Sequence, residues 1–158
     1  MAITSLASSE SVKYKRPGTG SILLRYWQSV PENGDIVRAF VQAVNRHQLE
    51  DQLALVDPEF EMTEPSSLPG AAQVRGREEL RSYAYGWARN WSEWEWREEE
   101  LIELPPERVV LDSTLRLRGL RSSIWVEHRW AYLFVIRDAL ILRQDGFQTK
   151  QEVLDAAG

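Results

Sequence analysis

The chain is expected to fold as an α+β domain, with helices packed on one face of an antiparallel sheet. Three observations carry that expectation. Apolar residues recur at helical spacing through about residue 91. From Trp94 onward the period changes to two, through four long segments separated by turn residues. Helices then strands, with one short strand interposed among the helices, is the order of an α+β layout and not of an alternating α/β one.

The bulk properties bound the function. The chain has 158 residues, 43% of them hydrophobic, enough for one domain with one core. Its net charge of −5, with a pI near 5.2, argues against nucleic acid as a partner. It has no cysteine, which removes disulfides, thiolate metal sites and cysteine nucleophiles. Two separated histidines give no metal-ligand spacing, so neither a metal nor another cofactor is expected. No apolar run reaches the ~18 residues of a membrane span. Ser, Lys, Pro and Gly stand where a signal peptide needs an apolar stretch, so the expected compartment is the cytoplasm, with no membrane partner. Seven tryptophans suit either a core or the walls of a broad apolar cavity.

In chain order, residues 1–28 read as a flexible arm, broken at Pro17-Gly18, and residues 29–158 as the single folded domain. Ile22 to Trp27 form an apolar patch able to dock as a helical turn. Ile36, Val37, Phe40, Val41 and Val44 predict a helix from Asp35 to His47, capped by Asn33 or Asp35. Leu49, Leu53 and Val56 predict a short second helix, stopped by Asp57-Pro58. Glu59 to Glu64 is then a strand. Leu80, Tyr83, Ala84, Trp87, Ala88 and Trp91 set a third helix over Arg77–Trp91, with Glu78 and Glu79 at its positive end. Strands follow at Trp94–Leu104, Arg108–Arg118, Ile124–Ile136 and Ala139–Phe147, with Asp138-Ala139 as a tight reversal. Thr149 to Glu152 is a capping box that opens a last helix.

The chemistry concentrates at the first strand. Phe60, Met62 and Glu64 alternate onto one face, so a carboxylate shares a surface with two apolar side chains. Such a carboxylate is paired, solvated by a cavity, or functionally perturbed; pairing would fall to Arg75 or Arg77. His128, Trp130, Tyr132 and Phe134 share one face of a later strand. Tyr83, Trp87 and Trp91 form a helical aromatic stripe that suits either a core or a pocket roof. Trp94, Trp96 and Trp125 are expected on the sheet's outer face or at a dimer contact. The acidic run Glu93 to Glu103 and the arginines Arg116, Arg118 and Arg121 read as solvated faces joined by cross-strand pairs. His47 belongs at a helix C-terminus, where the dipole favours it.

From about Asn33 to Ala157 the chain resembles SnoaL-like proteins of the nuclear-transport-factor-two-like superfamily. The matching pieces are Asn33-Gly34-Asp35-Ile36-Val37-Arg38-Ala39-Phe40, Leu53-Ala54-Leu55-Val56-Asp57-Pro58-Glu59-Phe60, Arg75-Gly76-Arg77-Glu78, Arg108-Val109-Val110 and Phe134-Val135-Ile136-Arg137-Asp138. The resemblance implies a curved antiparallel sheet wrapped around helices into a cone, the cystatin-like α+β roll. It also implies a deep pocket for a small apolar organic ligand and a homodimer formed through the sheet. It does not imply one reaction, since the superfamily holds isomerases, cyclases, dehydratases, hydrolases and non-catalytic binders.

Ketosteroid isomerase-like and polyketide cyclase-like members suggest proton abstraction beside a carbonyl. Glu64 falls on the position of the isomerases' general-base aspartate, and Tyr132 falls near a sheet donor. Phe40 stands where the first helix would carry a donor tyrosine, and it has none to offer. The catalytic expectation is therefore Glu64, Tyr132 and His128. The ligand-binding expectation is Phe40, Phe60, Met62, Tyr83, Trp87, Trp130 and Phe134. A non-catalytic binding protein is the alternative. A second one is water activation of the limonene epoxide hydrolase kind by Asp112, Arg116 and Asp145. Asp112 and Arg116, four apart on one strand, lie ~13 Å apart.

Overall fold

The computed structural model describes residues 32–158; the arm expected before Gln28 lies outside the described residues. These residues form four helices and one curved, unclosed six-stranded sheet, mostly antiparallel. The strand order is β2-β1-β6-β5-β4-β3, where β1 is Val56–Thr63, β2 Gln73–Arg75, β3 Trp91–Leu104, β4 Arg108–Gly119, β5 Trp125–Arg137 and β6 Leu140–Phe147.

Helix α1 (Asn33–Asn45) buries Ile36, Val37, Phe40, Val41 and Ala43, the face its periodicity predicts. Its first turn is satisfied from across the fold. A carboxylate oxygen of Glu103 on β3 accepts from the Gly34 N–H at 3.1 Å. A Cβ at Gly34 would stand 2.7 Å from that oxygen and 2.9 Å from Leu101, so glycine is what admits the approach. Past its end, His47 takes a left-handed φ of 57° and rests its ring on Trp94, centroids 4.1 Å apart.

Helix α2 (Leu49–Ala54) is shorter than predicted. Asp57-Pro58 does not stop it; both residues lie inside β1. The proline sits where the β1–β6 register shifts, between Val56 and Glu61, so no ladder bond is asked of it. Asp57 accepts from the Glu59 N–H at 2.7 Å and from Arg137 at 3.1 Å. Those two contacts, the backbone one first, hold its carboxyl below the usual carboxylate range.

Strand β1 pairs with β6 in parallel, which alternation did not foresee, and with the three-residue β2 antiparallel. Helix α3 (Gly76–Asn90) follows β2 directly. Gly76 takes a φ of 78°, and Glu79 accepts from the Arg75 N–H at 2.9 Å. From β3 to β6 each strand pairs antiparallel with the next. Asp138 and Ala139 have φ of 52° and 63°, the left-handed pair of a two-residue hairpin.

One correction concerns the layers. Helices α1 and α3 place Phe40 and Leu80 in the main core with Trp96, Leu115 and Tyr132, on the inner face of the sheet. The last helix, α4 (Lys150–Ala157), sets Val153 against Val110, Ala131 and Leu133 on the opposite face. Helices therefore cover both faces. The predicted capping box at its start is formed, with Thr149 and Glu152 each accepting from the other's backbone.

Candidate active site

The inner face carries a half-open cavity of about 100 Å³. Its walls come from α1 (Phe40, Val44), α3 (Leu80, Tyr83, Trp87), β3 (Trp94, Trp96) and β5 (Trp130, Tyr132), and its floor from Met62 and Glu64. The aromatic rings of the lining meet in two groups. Tyr83 meets Trp87 at 6.3 Å between centroids, and Trp87 meets Trp94 at 6.2 Å. Phe40 meets Trp96 edge-on at 6.3 Å, and Trp96 meets Tyr132 at 5.1 Å. Trp96 is fixed by its indole N–H, which donates to Ser113 at 2.9 Å.

Glu64 follows β1 by one residue and stays on its inner face. The loop after it closes on this residue. The Glu64 N–H donates to Ala72 O at 3.0 Å, and the Ala72 N–H donates to Glu64 Oε1 at 2.8 Å. The other oxygen, Oε2, accepts a hydrogen bond from the Tyr83 hydroxyl. Among the described residues no arginine reaches it; Arg77 donates instead to Val56 O at 3.0 and 2.7 Å. A carboxylate offers about four acceptor positions, so two such bonds leave room for a proton from a ligand. Gly146 on β6 sets the depth of this corner. A Cβ there would meet Pro65 Cδ at 2.7 Å, so any side chain would push the Glu64–Pro65 segment away.

Tyr132 is 7% exposed and opens into the same cavity. Its hydroxyl makes no hydrogen bond among the described residues. Burial, then the charge of Glu64, raises its pKa far above a free phenol's. Tyr83 is raised likewise, by burial first and then by its bond to Glu64. Both phenols are therefore firm proton holders and hydrogen-bond donors at neutral pH.

Glu64, Tyr132, Phe40, Met62, Tyr83, Trp87 and Trp130 thus meet around one space. Three predicted residues do not. Phe60 and Phe134 are 0% exposed and pack behind the wall as core. His128 is exposed, outside the lining, with its ring stacked on Trp130 at 4.8 Å. Trp94 and Trp96, expected on the outer face, line the cavity instead. Alternation separates two faces, but it does not say which one turns inward. The Asp-Arg-Asp set does not assemble. Asp112 pairs with Arg129 at 2.7 Å, Arg116 with Glu127 at 2.9 Å, and Asp145 with Arg143 at 2.8 Å, and none of the three lines the cavity.

Sequence reasoning missed the two buried polar residues of the lining, Gln52 and Gln144. It also missed the phenol of Tyr83 as the partner of Glu64. Among the described residues no cluster of His, Asp and Glu side chains could hold a metal ion, and no helix is long and apolar enough to cross a membrane.

Comparison with known structures agrees with this architecture. An NTF2-like protein of unknown function from Burkholderia pseudomallei superposes with a TM-score of 0.68 at 18% identity, over 80% of this chain and 97% of that one. A putative polyketide cyclase from Xanthomonas campestris gives 0.65 at 15% identity, over 80% and 100%. A hypothetical protein with a ketosteroid isomerase-like fold from Catenulispora acidiphila, solved in complex with trimethylamine, gives 0.64 at 12%, over 72% and 84%. At these identities the likeness is one of fold. No curated protein matches the chain. The model of the SnoaL-like domain matches residues 37–144, and that span, from the first helix to the last strand, decides the matter: the chain belongs to the SnoaL-like family.

Proposed function

We propose that this protein is a cofactor-independent isomerase or cyclase acting on a small apolar carbonyl compound. One observation carries the reading: a carboxylate, Glu64, and a hydroxyl without a partner among the described residues, Tyr132, line one aromatic cavity. Glu64 lifts a proton from the carbon beside the carbonyl. The C–H electron pair moves into the C–C bond, and the carbonyl π pair moves onto oxygen. Tyr132 donates a hydrogen bond to the enolate oxygen so formed. In a β,γ-unsaturated substrate the enolate extends into a dienolate; the oxygen pair re-forms the carbonyl, the double bond moves to the α,β position, and the protonated Glu64 returns its proton to the γ-carbon, which isomerises the substrate. Alternatively, the enolate carbon attacks a second carbonyl in the same molecule, which closes a ring and leaves that oxygen to take the proton. Tyr83 orients the base. The relationship to a fold shared with a putative polyketide cyclase supports this class of reaction.

The test needs no knowledge of the substrate. Ring-sized ketones such as cyclohexenone are incubated with the protein in D₂O, and loss of the α-proton signal is followed by NMR. Exchange is expected with the wild type. Glu64→Gln should slow it by about 10²–10⁴-fold while the ketone still binds. Exchange that persists in Glu64→Gln overturns the assignment.

A second reading, a non-catalytic ligand-binding protein, is favoured by one feature. Phe40 supplies no donor, so the oxygen would receive a single side-chain hydrogen bond. Ketone binding without any exchange would establish it. We also take the assembly to be a cytoplasmic homodimer through the outer face of the sheet, near the exposed Ile124, Trp125 and Val126; sedimentation at the monomer mass would refute the dimer.

A further inference from the structure

Among the described residues that line the cavity, Glu64 is the one charged group. It is half-buried, and its two oxygens accept from the Ala72 N–H at 2.8 Å and from the Tyr83 hydroxyl. Both donors are neutral. The carboxylate is thus surrounded by dipoles and meets no counter-charge among the described residues. A carboxylate so placed repels an anionic guest and attracts a cationic one.

The walls suit a cation as well. Trp87, Trp94, Trp96 and Trp130 line the cavity with Phe40 and two tyrosines. The indole N–H groups of Trp94 and Trp96 are taken up by Val44 O and Ser113 Oγ, both at 2.9 Å. These two rings therefore offer a guest π surface and no donor. Trp87 stands at 79° to Trp94, and Phe40 at 82° to Trp96. Two rings set edge to face make a corner, and a guest in that corner meets a ring face on each side. Ring faces are the negative side of the aromatic quadrupole, so they hold a cation.

Hydrogen bonding chooses among cations. A primary ammonium brings three N–H donors, each needing an acceptor. A quaternary one brings none and needs only charge and contact, which is what a ring-lined space with one carboxylate supplies. A half-open cavity of about 100 Å³ admits a head group of a few heavy atoms, its chain leaving toward solvent.

We infer that this cavity binds a quaternary alkylammonium head group, with ring faces against its methyl groups and Glu64 as its counter-ion. The ligand class is a small organic cation, which shares the cavity with the carbonyl compound proposed above. This rests on the cavity being the ligand site, but not on turnover.

Choline and its neutral carbon isostere, 3,3-dimethylbutan-1-ol, test it, because they have nearly the same shape and differ in charge. Both are titrated by calorimetry into the full-length protein at about 0.15 M salt, which screens exposed charges beyond ~8 Å. Choline is expected to bind about tenfold more tightly or better. Glu64→Gln and Trp130→Leu should each lower that ratio while the alcohol still binds. Trp87→Leu serves in place of Trp130→Leu should that variant fail to fold. Choline that binds no better than the alcohol overturns the inference, and so does a ratio that none of these variants lowers. α-Proton exchange is measured on the same samples. A choline preference without exchange upholds the cation site and removes the base; exchange without a choline preference does the reverse.

Discussion

The two faces of strands β3 to β5 carry alternate residues of the same segments, and they treat polar groups in opposite ways. On the outer face Glu95, Arg116 and Glu127 lie side by side across three strands, as do Arg97, Thr114 and Arg129. Their charges find partners: Arg129 with Asp112 at 2.7 Å, Arg97 with Glu99 at 3.1 Å, and Arg116 with Glu127 at 2.9 Å, the last an ion pair in which the buried Arg116 Nε makes no hydrogen bond. On the inner face Trp96, Leu115, Trp130 and Tyr132 surround a void, and there the Tyr132 hydroxyl and, on β6, the Gln144 oxygen make no hydrogen bond among the described residues. Many polar groups in satisfied pairs describe a solvated surface. A few polar groups left unsatisfied in an apolar enclosure describe a site, because folding alone gives no reason to leave them so.

The largest effect expected from this contrast falls on two tryptophans of adjacent ladders. Trp96 is 6% exposed, packed on Phe40 and Tyr132, and hydrogen-bonded to Ser113. Trp125 is 40% exposed and stacked beneath the Arg116 guanidinium at 4.6 Å. Trp96→Ala should cost about 3–5 kcal/mol of folding stability in urea unfolding, the range for a large aromatic removed from a core. Trp125→Ala should cost about 1 kcal/mol or less, the worth of an exposed cation–π contact. The two variants are compared on dilute protein, below the concentration at which the proposed dimer would cover Trp125, and equal losses there would redraw the contrast between the faces.

Those tryptophans also show where the sequence was legible. Helix α1, the Asp138-Ala139 hairpin and the Thr149–Glu152 box follow local rules, and they form as predicted. So does the match that placed Glu64 and Tyr132 on inward-facing positions. Trp94 and Trp96 turn to the inner face, against expectation, because residues 93–97 alternate aromatic with charged and period two is blind to which side closes. Strand β2 is too short to carry a period, and the parallel pairing of β1 with β6 joins segments 80 or more residues apart. Gln144 carries no local signal. Its missing partner shows only in the packed structure.

An intermediate effect concerns the two inner phenols. Their pKa values are raised in the folded state, for both chiefly by burial and then by Glu64. In the unfolded chain a phenol ionises near pH ~10. Above that pH the unfolded state binds fewer protons than the folded one, so stability falls as pH rises. The contribution is complete below pH ~10 and declines progressively above it. Ultraviolet titration of phenolate should therefore show Tyr83 and Tyr132 silent until alkaline unfolding, and Tyr132→Phe should leave the pre-transition amplitude unchanged. An amplitude that drops in that variant would mean the Tyr132 hydroxyl already meets bulk water, against the enclosed site.

The smallest effect belongs to the outer pairs, and it sharpens the comparison most directly. Arg116 sits between Glu127 at 2.9 Å and Glu95 at 3.7 Å, with its side chain 36% exposed and that of Glu127 57% exposed. Water screens such a pair, and holding two long side chains costs rotamer freedom, so a double-mutant cycle on Arg116→Ala and Glu127→Ala should return a coupling of about 0.2–1 kcal/mol. Added salt should shrink that coupling further. Gln144→Leu offers the inner-face counterpart. It removes an unpaired acceptor and no partner, so melting should show stability held or raised. A coupling on the outer face well beyond that range, together with a loss of stability in Gln144→Leu, would invert the assignment of roles: the charged ladder would then be the specialised surface, and the buried carboxamide an ordinary part of the packing.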